Sequence, residues 1–328
     1  MATINRSSDN LKRMGRNELI NTTRAILAKA GFDVSSALTI RGICFDVVAR
    51  LDDRVLIIKV LSNIDAFSKD NAEEMKVLAD ALNATPMVVG ERSSSGALEA
   101  GIVYSRFNIS IVSNETLADL LLEDAPPFIF AAPGGLYVKL DSELLRTVRE
   151  DRGISLGALA ETAGVSRRTI QMYESGMGAM IDAALRIEEY LGLPIIEPID
   201  PFEFKSEERG KEERTGQEPI DTFAVNQLCN LGFSVRPVVK SPFEAVSHND
   251  RALMLTGIGN SDDAKLVQKA VVASDIARIM DKFSVLIVEY KHDRDNIDST
   301  AVVSNEELKK IDAPEALTDL VASRGTHK

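Results

Sequence analysis

Residues 142–192 read SELLRTVREDRGISLGALAETAGVSRRTIQMYESGMGAMIDAALRIEEYLG, and their apolar spacing and glycine stops define a set of short helices. Leu144, Leu145 and Val148 share one face of a helix that runs from Ser142 to about Arg152 and ends at Gly153. Ser155 caps a second helix that turns Leu159 and Ala160 inward and stops at Gly164. Ser166 caps a third. Its Ile170 and Tyr173 face the core and leave Arg167, Arg168, Thr169, Gln171 and Met172 mainly outward. Gly176 closes that helix, and Met180 to Leu191 forms a further amphipathic one. The turn between the second and third helices has to be tight, so Gly164 is expected at positive φ, with the small Ala160 where the helices cross.

The third helix carries two arginines at its amino end and a polar face narrow enough for a major groove. From Leu144 to Leu191 the stretch resembles the Cro/C1 (phage repressor) type of helix-turn-helix. Leu159-Ala160, Gly164-Val165-Ser166, Ile170, Tyr173-Glu174 and Gly176 all fall on that pattern. The resemblance implies double-stranded DNA as ligand. It puts Arg167, Arg168 and Met172 at base-reading positions and Ser166 and Thr169 near phosphates; Ser155 and Gln171 complete the expected DNA-binding set. An Arg that grips a guanine edge with two hydrogen bonds contributes roughly 1–3 kcal/mol of discrimination. Two positions depart from the family. Leu156 stands where Gln is frequent, and Met177-Gly178 follow the closing glycine where a basic residue is frequent, so phosphate anchoring by one copy alone is expected to be weak. The competing reading is a helix-turn-helix used only for dimer or protein docking. Between Ser142 and Gly178 five carboxylates balance five basic residues, but all five bases are Arg and two of them head the third helix, which favours DNA.

The chain has 328 residues, enough for two or three domains, and a net charge of −12. That balance excludes a polybasic packer of DNA or membranes, yet leaves room for a small DNA-reading surface on an acidic body. Two cysteines, Cys44 and Cys229, make neither a disulfide framework nor a cysteine zinc site, and both are expected to be core thiols. His248, His292 and His327 lack ligand spacing and are expected at the surface. No apolar run is long enough to cross a bilayer, and the polar start MATINRSSDN does not read as a signal peptide, so the expected location is the cytoplasm, without membrane contact. No Trp and few aromatic residues argue against base stacking on an aromatic platform. Nothing suggests a P-loop or a GxSxG elbow, and no cofactor or metal is expected.

Outward from the helical block, the fold class is mixed α/β. Residues 1–125 alternate helices and strands: a helix from Arg16 to Ala30, strand-like runs at 32–34, 43–51 and 54–61 with a turn at Asp52-Asp53, a helix over 69–82, then strands at 86–89 and 109–112. Residues 126–198 form a β-hairpin around Pro133-Gly134-Gly135 followed by the helices. Residues 199–219 read as a charged linker. Residues 220–328 form a second α/β lobe that repeats the first: Gly31-Phe32 against Gly232-Phe233, Phe45-Asp46 against Phe243-Glu244, Asp53-Arg54 against Asp250-Arg251, and Ser113-Asn114-Glu115 against Ser304-Asn305-Glu306.

Glu18, Phe45-Asp46-Val47-Val48-Ala49 and Leu56-Ile57-Ile58-Lys59-Val60 resemble the restriction-endonuclease-like fold of Holliday junction resolvases. That family holds Mg²⁺ with an Asp and the Glu of a Glu-x-Lys. Asp46 and Lys59 fall in place, but Ile57 occupies the Glu position and cannot ligate a cation. In the second lobe Glu244 replaces the Asp, and the Lys position falls on Thr256 or Gly257. Both lobes are expected to be inactive, with no catalytic residue. The whole arrangement is similar to a group of archaeal transcriptional regulators. It implies a sequence-specific regulator that reads the major groove with helix 166–174 as a homodimer, its lobes supplying dimer contacts or sensing a small-molecule effector. A divalent-metal nuclease and a scaffold without DNA affinity are the alternatives.

Overall fold

A computed structural model describes residues 15–36, 38, 42–204, 222–259, 264–290 and 292–325. The polar amino-terminal stretch before Gly15, His327 and most of the charged linker lie outside the described residues. The fold is mixed α/β, as its alternating patterns predict.

The first lobe comprises α1 (Arg16–Lys29), β1 (Asp33–Val34), β2 (Val47–Leu51), β3 (Arg54–Asn63), α2 (Lys69–Leu82), β4 (Thr85–Ser93), β5 (Gly96–Ala97), β6 (Ile102–Arg106), β7 (Ile109–Val112) and α3 (Asn114–Leu122). The β2–β3 hairpin turns at Asp52, whose φ of 52° suits the short polar side chain. The Ser68 hydroxyl accepts from the Asn71 amide to start α2, and Ser113 accepts from Thr116 to start α3. Sheet order is β1-β2-β3-β4-β7-β6, with β3–β4 and β4–β7 parallel and the other neighbours antiparallel.

The central unit comprises β8 (Ile129–Ala132), β9 (Gly135–Leu140), α4 (Ser142–Asp151), α5 (Leu156–Ala163), α6 (Arg167–Tyr173), β10 (Ala179–Met180), α7 (Ile181–Leu191) and β11 (Ile196–Glu197). It is not strung loosely on the lobe. β8 adds to β6 in parallel, pairing Ile102 with Ile129 and Val103 with Phe130, and β9 and β10 continue the same sheet. The helical unit is thereby joined to the first lobe through backbone hydrogen bonds. Ile199 and Phe202, at the start of the stretch read as linker, pack on that lobe: the Ile199 amide donates to the Pro127 carbonyl, and Phe202 is buried beneath Arg54.

The second lobe comprises α8 (Phe223–Asn230), β12 (Ser234–Pro237), β13 (Ala245–His248), β14 (Leu253–Gly259), α9 (Ala264–Met280), β15 (Phe283–Val288), β16 (Asn296–Ile297), β17 (Thr300–Ser304), α10 (Asn305–Leu308) and α11 (Pro314–Arg324). Its sheet runs β12-β13-β14-β15-β17-β16, with the same sequence of parallel and antiparallel neighbours as the first lobe. Ser304 opens α10 with a capping box to Glu307, where Ser113 opens α3.

The two lobes share an apolar core in which Phe45, Ile57, Met75 and Leu78 meet Val238, Phe243, Leu255 and Ile276. Polar contacts tie its rim. The Cys44 amide donates to the Lys240 carbonyl, the Ser36 amide to Asp275 of α9, and the Val239 amide to Glu74 of α2, so each lobe offers a backbone donor to a carboxylate on the other's helix.

One expected core thiol differs. Cys44 is buried, and loss of solvation pushes its thiol up to about 12. Cys229 is exposed, because α8 buries Ala224 and Leu228 one turn apart and Cys229 lies off that face. His248 and His292 are half-buried.

Candidate nucleic-acid interface

The helical unit is organised by its caps. The Asp141 carboxylate accepts from the Leu144 amide at 2.9 Å, the Ser155 hydroxyl from Ala158 at 3.1 Å, and the Ser166 hydroxyl from Thr169 at 3.1 Å. Ser166 and Thr169 hydroxyls also share a hydrogen bond of 2.8 Å. Ser166 and Thr169, expected near phosphates, and Ser155 of the same DNA-binding set thus already use hydroxyl groups in starting their helices. Leu145, Leu159, Ala160, Ile170, Tyr173 and Ile187 make the core between the helices. Burial raises the Tyr173 phenol above its ordinary value.

Gly164 ends α5 with φ +69°, the left-handed conformation expected for the turn. A second constraint acts there. The Arg186 guanidinium of α7 donates to the Ala163 carbonyl at 3.2 Å, and a Cβ on Gly164 would stand 2.5 Å from its Nη1. A side chain at this turn would be strained by the backbone angle and would have to displace the Arg186 guanidinium.

The far end of α6 is clamped. Arg149 of α4 donates from Nε to Glu174 Oε1 at 2.5 Å and from Nη2 to Oε2 at 3.1 Å, with the two side chains only 12% and 8% exposed. Hydrogen bonding to Glu174 raises the Arg149 guanidinium above its already high value. The Ser142 hydroxyl donates to the Tyr173 carbonyl at 2.6 Å, and Arg152 donates to the Leu191 carbonyl at 2.6 Å.

These contacts sort the five arginines that the sequence could only count. Arg149 and Arg152 hold helices together, and Arg146 pairs with Glu150 along α4. Arg167 and Arg168 are exposed at the start of α6, and neither pairs with a carboxylate among the described residues. Gln171 and Met172 follow on the same exposed side, Met172 with 43% of its surface accessible. The structure therefore brings Arg167, Arg168, Gln171 and Met172 together at one solvent-facing edge, with Thr169 partly covered and Ser155 at the neighbouring end of α5. Arg149, Arg186 and Gly157 were not singled out by sequence reasoning, and Glu174 only as a position of the helix-turn-helix pattern. For Gly157 a signal existed: glycine in the first turn of a helix is locally unfavourable and invites a packing reason.

The nuclease-like positions are occupied by internal contacts. Asp46 Oδ1 accepts from Arg16 Nη2 at 2.5 Å and from Lys59 Nζ at 3.4 Å, and Oδ2 accepts from the Val60 amide at 2.8 Å. Ile57 is wholly buried in the core between the lobes, and Glu18 is exposed. In the second lobe Glu244 Oε2 accepts from the Ile258 amide at 2.8 Å, as Asp46 does from Val60. The Asp46 amide donates to the Ile58 carbonyl and the Glu244 amide to that of Thr256, so Gly257, not Thr256, stands where the first lobe has Lys59. The cation there arrives from α9: Lys269 Nζ reaches Glu244 Oε1 at 2.5 Å. Among the described residues no group of three His, Cys, Asp or Glu side chains is placed to hold a metal ion, and no helix is long and apolar enough to cross a membrane.

Comparison with known proteins matches a PD-(D/E)XK superfamily domain over residues 16–127 and a helix-turn-helix over residues 145–197. A protein of Methanocella arvoryzae is 40% identical over 320 residues, covering 96% of this chain and 98% of its own length. One of Halorubrum lacusprofundi is 39% identical over 317 residues, 95% of this chain and 98% of its own. One of Methanocaldococcus jannaschii is 41% identical over 274 residues, 82% and 85%. All three are named "Putative HTH-type transcriptional regulatory protein". No solved structure matches.

Proposed function

The chain belongs to the family of archaeal proteins named as HTH-type transcriptional regulators, and from that membership we propose that it is a cytoplasmic, sequence-specific regulator that reads double-stranded DNA through α6. One observation carries the reading: Arg167 and Arg168 stand exposed and without a described carboxylate partner at the start of a helix whose other end is held by Arg149 and Glu174. Guanidinium groups so placed can reach guanine O6 and N7 or backbone phosphates, depending on how the helix seats in the groove. A seven-residue helix reads few base pairs, so the functional unit is a homodimer on paired half-sites. The lobes serve assembly or effector sensing.

The lobes are read as non-enzymatic. In the first, Ile57 offers no oxygen at the ligand position, and Asp46 is already neutralised by Arg16 and Lys59. In the second, Lys269 does the same for Glu244.

The test is enrichment of duplexes from a random pool by the purified full chain, followed by gel shift at several salt concentrations. The expected outcome is a two-fold-related motif bound more weakly as salt rises, because phosphate contact releases counterions. Arg167→Ala/Arg168→Ala abolishes selective binding while the fold is retained. Unchanged affinity of that double variant for the enriched duplex sinks the reading.

A further inference from the structure

Arg167 leaves the first turn of α6 and lies back across α5. A Cβ built on Gly157 would stand 3.0 Å from its Nε, 3.1 Å from Nη2 and 3.3 Å from Cζ. The guanidinium therefore rests on bare helix backbone, in space that any other residue at 157 would partly fill. Glycine is a poor helix former. Gly157 has no positive φ to account for it. What distinguishes the position is the side chain lying on it.

We propose that Gly157 is a specificity-determining position of the DNA-reading surface: by leaving the start of α5 bare it seats the Arg167 guanidinium and so fixes which guanine edge that residue reads. This rests on the DNA-reading role of α6. An arginine side chain has many rotamers to lose, and its planar fork recognises O6 and N7 together only in a narrow range of orientations. A seat on the protein restricts that freedom before DNA arrives. The atoms that a Cβ would meet are the mobile end of Arg167 and not backbone. A Cβ at position 157 therefore presses on the guanidinium and not on backbone, and the melts below separate its effect on recognition from any effect on folding.

The experiment uses the full chain and one pool of random duplexes, enriched in parallel by the wild type, Gly157→Ala, Gly157→Leu, Arg167→Ala, Arg168→Ala and Gly157→Leu/Arg167→Ala, with a thermal melt of each. Arg167→Ala is expected to lose preference for guanine at one position of the enriched motif. Gly157→Leu loses the preference at that same position, with affinity for the wild-type motif lowered about tenfold, within the range for one such contact. Gly157→Ala falls between, with a melting temperature no lower than the wild type's, and it decides the matter alone if Gly157→Leu melts early. The double variant binds no more weakly than Arg167→Ala, because Gly157 acts only through Arg167. Retention of the full wild-type motif by both Gly157 variants, while Arg167→Ala loses a base, overturns the inference and leaves the DNA reading standing. Equal and additive losses in the double variant overturn it too. No enrichment by the wild type, or none of the motif lost in either Arg→Ala variant, overturns the DNA reading itself and this inference with it.

Discussion

Arg149 and Glu174, 25 positions apart, meet in a two-point ion pair that fastens α4 to the end of α6, the helix bearing Arg167 and Arg168. The pair is nearly closed to water, so its two members depend on each other. Loss of Arg149 leaves the Glu174 carboxylate desolvated and unpartnered, whereas loss of Glu174 leaves Arg149 with the more exposed Glu150 and the Ile154 carbonyl.

Arg149→Met is accordingly expected to destabilise the helical unit by about 3 kcal/mol and Glu174→Met by less, whereas changing both together costs less than the two singles combined. Urea unfolding followed by circular dichroism checks this. A double variant as unstable as the sum of the two singles would show that the residues do not act as a pair.

Gly164 combines a left-handed backbone with the Arg186 guanidinium where a Cβ would sit. Gly164→Ala should cost about 1–2 kcal/mol from backbone conformation alone, with the displacement of Arg186 added to it. In an Arg186→Ala background only the conformational part remains, so the penalty is smaller. Equal penalties in the two backgrounds would assign the whole effect to φ.

Asp46 links α1 to β3 through Arg16, Lys59 and the Val60 amide. Asp46→Ala is expected to lower the melting temperature, since it leaves the buried Lys59 ammonium with the Ile43 carbonyl but no counter-charge and leaves the Val60 amide without an acceptor. Neither it nor the wild type should cut branched or linear DNA with Mg²⁺ or Mn²⁺. Cleavage by the wild type that vanishes in Asp46→Ala would make the lobe an enzyme.

Glu307 is held down to about 2, first by hydrogen bonding to Arg324 and then by the Ser304 cap, against the opposing effect of burial. A carboxylate depressed on folding stabilises the fold fully above its unfolded pKa, about 4.3, and that stabilisation is lost as pH falls toward 2. Glu307→Gln should therefore melt below the wild type at neutral pH, with the gap narrowing as pH drops through this window. A gap independent of pH down to about 2 would remove the charge from the explanation. The partial exposure of both side chains keeps the effect modest.

Much of this molecule is legible in local sequence. Ser155, Ser166, Ser68 and Ser113 mark helix starts because a hydroxyl that satisfies an orphan amide acts within three residues. Ile170 and Tyr173 identify the buried face of α6 by spacing alone, and so expose Arg167 and Arg168. The short strands β5 and β6 are not legible. β5 is only Gly96-Ala97, too short for any periodicity, and Ile102-Val103-Tyr104 of β6 is a short apolar run without the alternation that marks a half-buried strand.

The amino-acid order determined by itself where helices begin and turn and which faces are apolar, because caps and periodicity act over a few residues. Only the tertiary structure decided that β8 joins the edge of β6, that Lys269 comes from another helix to Glu244, and that Arg149 is a clamp while Arg167 lies over Gly157. Those outcomes depend on which surfaces meet when distant segments pack, and a charged or small residue carries no local mark of the partner it will face.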